Sequence, residues 1–314
     1  MFEPQHNGLY FGTTEIETAR THAKREPFKT ALATLATLQP ADNIGAAIAA
    51  GFRYRFTGDD AAAARARDLL INHSVGLNLP ADGSLSYLDA CAVTMAVGQA
   101  FELVRDMLPD DAKRGWLALY NEQLETLRAV DSDLSLLEEI WRTAMKLAGG
   151  VVLERSDVFV LGVEDFRHIV RTHIHPEGYL PLIVENQPGN ALEMQVFAAK
   201  GLVLGAEAAT HAGSDLWSYE SRGISAKTAA IYAAAYYEYP DTWKWDEPPT
   251  PEVTEALYQQ NAGFFEMLNR KLDPVVLDAT MDKLRPVFDP YGGGLTTLSH
   301  GVPKRRGLFG FLGG

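Results

Sequence analysis

Residues 172–217 read THIHPEGYLPLIVENQPGNALEMQVFAAKGLVLGAEAATHAGSDLW, a loop of polar and planar groups joined to a long helix of small residues. Pro176, Gly178, Pro181, Pro188 and Gly189 punctuate the first half and mark it as a loop. From Asn190 the apolar positions follow helical periodicity, and alanine and glycine are dense enough for neighbouring backbones to approach closely.

The same signature extends in both directions, and strand alternation is almost absent. Upstream, Thr14 with Glu17 reads as a capping box opening a helix that runs to Pro27. PFKTALATLATLQ, NIGAAIAAGFRYRF and DAAAARARDLLINHS follow, separated by short polar turns. Then come SLSYLDACAVTMAVGQAFELVRDML, DDAKRGWLALYNEQLETLRAV, SLLEEIWRTAMKLAGGVVLE and VEDFRHIVRTHI. Beyond residue 217, GISAKTAAIYAAAYYEY, PEVTEALYQQNAGFFEMLNRK and DATMDKLRPV continue the pattern. About a dozen helices joined by short turns make consecutive helices antiparallel neighbours. The expected fold is all-α, an incomplete (α/α) toroid of helix hairpins. No fixed-period repeat supports an open solenoid. Residues 1–300 read as one domain, and 301–314 as a basic, glycine-rich tail, either frayed or a docking peptide.

With 314 residues, 46% of them hydrophobic, the chain can bury a substantial core. A formal net charge of −13 argues against nucleic acid and anionic membrane as partners, since both need a cationic face. Cys91 is the only cysteine, so no intrachain disulfide forms, and its apolar surroundings assign it to packing. No secretory leader is visible, which leaves the compartment open between an export signal removed earlier and a cytoplasmic protein. No uninterrupted apolar run reaches about 18 residues, so no membrane span is expected.

Several stretches resemble the alginate lyases. NGLYFGTTEIETARTHAKREPFKTAL is similar to the start of alginate-lyase and heparinase-like enzymes, and GFRYRFTGDDAAAARARDLL to the helix pair that follows there. HPEGYLPLIVENQPGNALEMQVFAAKGLVLGAEAATHAGSDLW parallels the family's succession of a DG-x-LP turn, a basic segment, a helix and a closing NG-x-DLY. LRPVFDPYGGGLTTL is similar to its ending. The resemblance implies a toroid whose cleft receives an acidic, uronate-containing polysaccharide and cleaves it by β-elimination. A base takes the proton beside the uronate carboxylate, and that carboxylate must be neutralised.

In that family an Asn-Asn-His-x-x-Trp motif, an arginine and a tyrosine carry these roles. Matching the tryptophan to Trp141 puts Leu136, Leu137 and Glu138 at the Asn, Asn and His positions. Asn190 falls at the arginine and Phe197 at the tyrosine. Elimination would then need other residues: His175 or Glu138 as base, Tyr179 or Tyr219 as acid, and Arg222 with Asn190 against the carboxylate.

The residues themselves admit plainer roles. His173 and His175 suit a helix C-terminus, while Asn190 and Glu193 suit a helix start. Gln195 is the least committed of the polar residues on that helix. Trp217 and Arg222 in DLWSYESRG offer a sugar platform and a guanidinium, or a buried tryptophan in a polar loop. Tyr87 and Asp89, in GSLSYLDA, begin another helix expected to border the cleft. Trp243 and Trp245, beside prolines, are expected to be exposed and to stack on sugar, while Tyr232 and Tyr236 at helical spacing pack inward.

No cofactor is expected. HExxH, calcium-loop spacing and G-x-S-x-G are absent, and Gly292–Gly294 lacks the following Lys-Ser/Thr of a phosphate loop. The family's lyase reaction is the leading expectation. A glycan-binding or scaffolding protein that kept the toroid without its chemistry comes second, and a toroid glycosidase using paired carboxylates such as Glu138 and Glu193 third.

Overall fold

The structure is a computed structural model, and it describes residues 2–77, 79, 85–130, 133–186, 189–272 and 277–304. The last ten residues of the expected tail lie outside the described residues.

Five helices form the inner row: α3 (Asn43–Thr57), α5 (Tyr87–Val104), α7 (Leu136–Val152), α10 (Ala191–Thr210) and α13 (Gly263–Lys271), each packed on the next. An outer row covers them, consisting of α4 (Asp60–Ile71), α6 (Asp110–Arg128), α8 (Ser156–Thr172) and α11 (Ala226–Glu238). Burial separates the rows: 14 of the 18 residues of α5 are buried, against four of the 19 in α6. A helix apolar all round belongs inside, and one with a single apolar stripe belongs at the surface.

The remaining helices close the ends. They are α1 (Thr13–Thr21), α2 (Phe28–Thr37), the single turn α9 (Pro181–Val184), α12 (Pro251–Asn261), α14 (Asp278–Leu284) and α15 (Thr296–His300). No strand occurs among the described residues, only two isolated bridges, in keeping with the all-α toroid of helix hairpins.

Small residues let the layers meet. A Cβ on Gly150 of α7 would come within 2.9 Å of the Phe159 backbone nitrogen on α8, so any larger residue would push the two helices apart. Between α7 and α10, the Trp141 indole donates to the Phe197 carbonyl at 3.1 Å. The segment Tyr87–Met107 has the length and mean hydropathy, 1.2, to cross a bilayer, but 78% of that stretch is buried inside the fold.

Three boundaries differ from expectation. α1 begins at Thr13, with the Glu15 carboxylate accepting the Gly12 amide at 2.9 Å in place of the expected Thr14–Glu17 box, and it ends at Thr21, short of Pro27. α8 starts at Ser156, a full turn and more before the expected VEDF. The single helix expected over PEVTEALYQQNAGFFEMLNRK is two, α12 and α13, broken at Ala262. The Gly292 carbonyl comes so close to Gly263 that a Cβ there would sit 2.9 Å from it.

Candidate functional site

A concavity of about 680 Å³ opens between the first turns of α10, the length of α12, the 246–249 loop and residues 288–291. A narrower extension of about 160 Å³ leads inward past Leu88, Asp89 and Ala92 of α5 and Trp141 of α7. Phe197, Lys200, Asn261 and Tyr291 border both spaces and so form the floor of one continuous cleft.

The floor is built by long-range contacts. Lys200 stands in an otherwise apolar stretch of α10, and its ammonium lies 2.6 Å from Asp289 and 3.2 Å from the Asn261 side-chain oxygen. Both charged side chains are almost fully buried, 5% and 3% exposed, and a buried charge is tolerated only when paired like this. The Asp289–Gly294 loop is pinned by reciprocal backbone bonds, and the Tyr291 amide donates to the Asp289 carboxylate at 3.0 Å. Glycine is required at 292, because a Cβ there would fall 2.0 Å from Asp289 Oδ2 and 2.9 Å from Lys200 Cε. Burial, followed by the charges of Asp42, Asp89 and Asp289, raises the Tyr291 phenol above its ordinary value.

The sequence-derived binding candidates Asn190 and Glu193 line this cleft, as does Phe197, and Asp89 borders its extension. Asn190 occupies the cap position of α10 but makes no side-chain cap bond. Asp246 substitutes for it, accepting from the Ala191 amide at 3.0 Å and from the Trp243 indole.

The other candidates are held elsewhere. Glu138 closes a capping box on α7, its carboxylate accepting from the Ser135 amide at 2.8 Å and hydroxyl at 2.7 Å. Tyr87 turns outward to donate to the Leu127 carbonyl at 2.9 Å. Gln195 is fully buried, its amide accepting from Leu180 N and donating to Gly178 O, so it staples the 178–180 loop to α10 and cannot reach a ligand.

His175, a candidate base, does not border the cleft. It lies instead in a separate groove of about 330 Å³ with His173 and Arg222, and none of that groove's lining residues borders the cleft. His175 Nδ1 accepts the Glu177 amide at 3.2 Å, and the ring stacks on Tyr179 at 4.2 Å. Burial, then the neighbouring His168, pushes the His173 imidazole below its usual value. Arg222 donates to the Arg171 carbonyl at 2.8 Å and adopts a left-handed φ of 55°. Tyr219 is half-buried beneath the Arg167 guanidinium.

The aromatic rim becomes an internal cluster. Trp243 is only 3% exposed, against the expectation of an exposed stacking face, because Tyr236 meets it edge-on at 4.8 Å and Asp246 takes its indole proton. Trp245 is half-buried, donating to the Tyr232 hydroxyl at 3.0 Å and packing on Tyr179. Trp217 is equally covered and donates to the buried Glu207. None of the three tryptophans borders the cleft.

Sequence reasoning passed over Lys200, Asn261, Asp289 and Tyr291. One signal was available: a lysine flanked by alanine and glycine inside an apolar helix needs a buried anionic partner. Among the described residues no three His, Cys, Asp or Glu side chains converge to hold a metal ion.

No curated protein sequence matches the chain. Solved structures do. An alginate lyase from Bacteroides ovatus superposes with a TM-score of 0.70 at 13% identity, covering 94% of this chain and 99% of that one. Alginate lyase A1-III from Sphingomonas species A1 gives 0.66 at 19% identity over 88% and 79% of the two chains. A variant of A1-III complexed with a tetrasaccharide gives 0.66 at 18% identity over 84% and 76%. These likenesses establish a shared fold. The sequence profile of the alginate lyases matches residues 18–243, most of the length, and the chain belongs to the alginate lyase family.

Proposed function

We propose that the protein is a glycan-binding member of its family that keeps the cleft without the family's elimination chemistry. The observation that carries this reading is Phe197. It borders the cleft at the position matched to the family's tyrosine, and a phenyl ring has no proton to give to a leaving oxygen or to take from carbon. The neighbouring replacements agree. Leu136 and Leu137 have no hydrogen to donate to a uronate carboxylate, and Glu138, at the position of the histidine base, is engaged in capping α7. Asn190, at the arginine position, carries no charge to neutralise that carboxylate.

Oligosaccharide as the ligand class rests on the family and on the tetrasaccharide named for A1-III. The cleft suits it, with Phe197, Phe288 and Tyr291 as apolar faces among hydrogen-bonding groups.

The test is incubation with a panel of uronate glycans and neutral and amino-sugar oligosaccharides, following near-ultraviolet absorbance, reducing-sugar yield and binding together. Binding without an unsaturated product is the expected result. Accumulation of the unsaturated chromophore would overturn the proposal. The carboxylate-rich lining favours a hydrolase as the second reading, since glycosidases use two carboxyl groups across the scissile bond. New reducing ends without chromophore would establish that alternative.

A further inference from the structure

Building on the glycan-binding reading, we propose that the cleft selects a glycan bearing protonated amines, an amino-sugar polymer, and discriminates against polyuronates. Among the described residues, the cleft and its extension are bordered by Asp42, Asp89, Glu193, Asp246, Glu247 and Asp289, and by a single cation, Lys200. That lysine is committed to Asp289 and Asn261 and is buried beneath the floor, so it offers no charge to an incoming carboxylate.

The carboxylates are not equivalent. Asp42 accepts from the Gly45 amide at 2.7 Å, Asp89 from the Ser86 hydroxyl at 2.6 Å, and both oxygens of Asp246 are taken. Glu193 and Glu247 have no side-chain partner among the described residues, which leaves two acceptors for an ammonium group. The one feature of opposite sign, the positive start of α10, is already answered by Asp246 on the Ala191 amide and by Glu193 in the first turn. Burial, and then the charges of Asp42, Asp89 and Asp289, raise the phenol of Tyr291. Phe197, Phe288 and Tyr291 add ring faces that attract an ammonium as well as sugar C–H groups.

A uronate chain would bring a like charge with every residue, and like-charge juxtaposition is a recognised means of rejecting a ligand. An amino-sugar chain would instead be steered toward an acidic protein of net charge −13.

Three tetrasaccharide probes separate the possibilities: glucosamine, N-acetylglucosamine and mannuronate, titrated calorimetrically at about pH 6, where the amine is protonated and the carboxylates are ionised. Two solvent-screened charge pairs, each worth a few tenths of a kcal/mol, predict about three- to fivefold tighter binding of the glucosamine probe than of its acetylated form, weakening as salt is raised. The mannuronate probe is expected not to bind. Equal affinity for the first two probes, or tightest binding of mannuronate, overturns the charge selection and leaves glycan binding standing. Failure of all three to bind overturns the glycan-binding reading itself.

The paired variant Glu193→Gln with Glu247→Gln keeps side-chain shape and tests whether the preference arises in the cleft. With folding verified by a thermal melt, the ratio of glucosamine to N-acetylglucosamine affinity should fall at least about threefold, since each lost exposed pair is worth a few tenths of a kcal/mol. An unchanged ratio would trace the preference to the acidic surface at large and refute the assignment.

Discussion

Replacing Lys200 by methionine removes the cation from the cleft floor and strands the Asp289 carboxylate where only 3% of its side chain meets solvent. Breaking a buried pair from one side typically costs about 3–5 kcal/mol, because the remaining charge has lost both its partner and its water. Solvent screening does not soften the figure, since both side chains are at least 95% buried. At roughly 2 cal/mol/K of unfolding entropy per residue, a chain of this length moves its melting point by about 1.5 °C per kcal/mol, so a loss of about 5–8 °C is expected. Adding Asp289→Asn neutralises the stranded group and keeps an oxygen for the Tyr291 amide. The double variant should therefore recover to within about 1–2 kcal/mol of the parent. Urea titrations of the parent, both single variants and the double variant complete the cycle. If Lys200→Met costs less than about 1 kcal/mol, or if the double variant is no better than the single ones, the floor is wet and the pair is not what shapes it.

Trp243→Ala should act on stability and not directly on ligand contacts, costing about 3–5 kcal/mol as other buried aromatic truncations do; calorimetric binding measured on the folded fraction separates the two effects. Gly292→Ala is expected to cost about 1–3 kcal/mol and to weaken glycan binding with it, since the new methyl meets Asp289 and Lys200 head-on. A melt unchanged by this substitution would mean that the loop sits further from α10. In acid, the buried Glu207 carboxyl is one that should be felt. Burial alone would raise it, but hydrogen bonds from His211 and His300, with the charges of His300 and Lys271, hold it well below its ordinary 4.5. A depressed carboxyl contributes stability above the unfolded value and loses it as pH falls through the folded one. Urea midpoints should therefore drop steeply below about pH 4.5, and Glu207→Gln should flatten that limb. His300, pushed below 6.5 by burial, adds in the same direction, because the unfolded chain takes up its proton first as pH falls.

Much of the fold was legible because its rules are local. α3 shows this well: Asp42 caps it through the Gly45 amide at 2.7 Å, and Gly58 ends it in the left-handed region, φ 75°, where the sequence placed a turn. The break at Ala262 was not legible, since helical periodicity carries straight through it and the backbone that packs beside it, at Gly292, lies thirty residues further on. The site follows the same division. Asn190 and Glu193 could be placed beside the cleft because they open a helix next to a recognisable loop. Lys200, Asn261 and Asp289 converge from three distant segments, and no spacing in the chain announces them. Trp243 and Trp245 were misjudged because a proline-flanked loop looks exposed until its indoles find Asp246 and Tyr232.

The capping of α10 by a residue 55 positions away has a kinetic consequence. An adjacent cap forms with its helix, but a remote one waits for tertiary closure, so the opening turn of α10 should be among the last parts of the inner row to become protected against hydrogen exchange. The rim that carries Asn190 and Glu193 is thereby linked in its opening and closing to the docking of the 243–249 segment, giving that short stretch of chain control over when the mouth of the ring takes its final form.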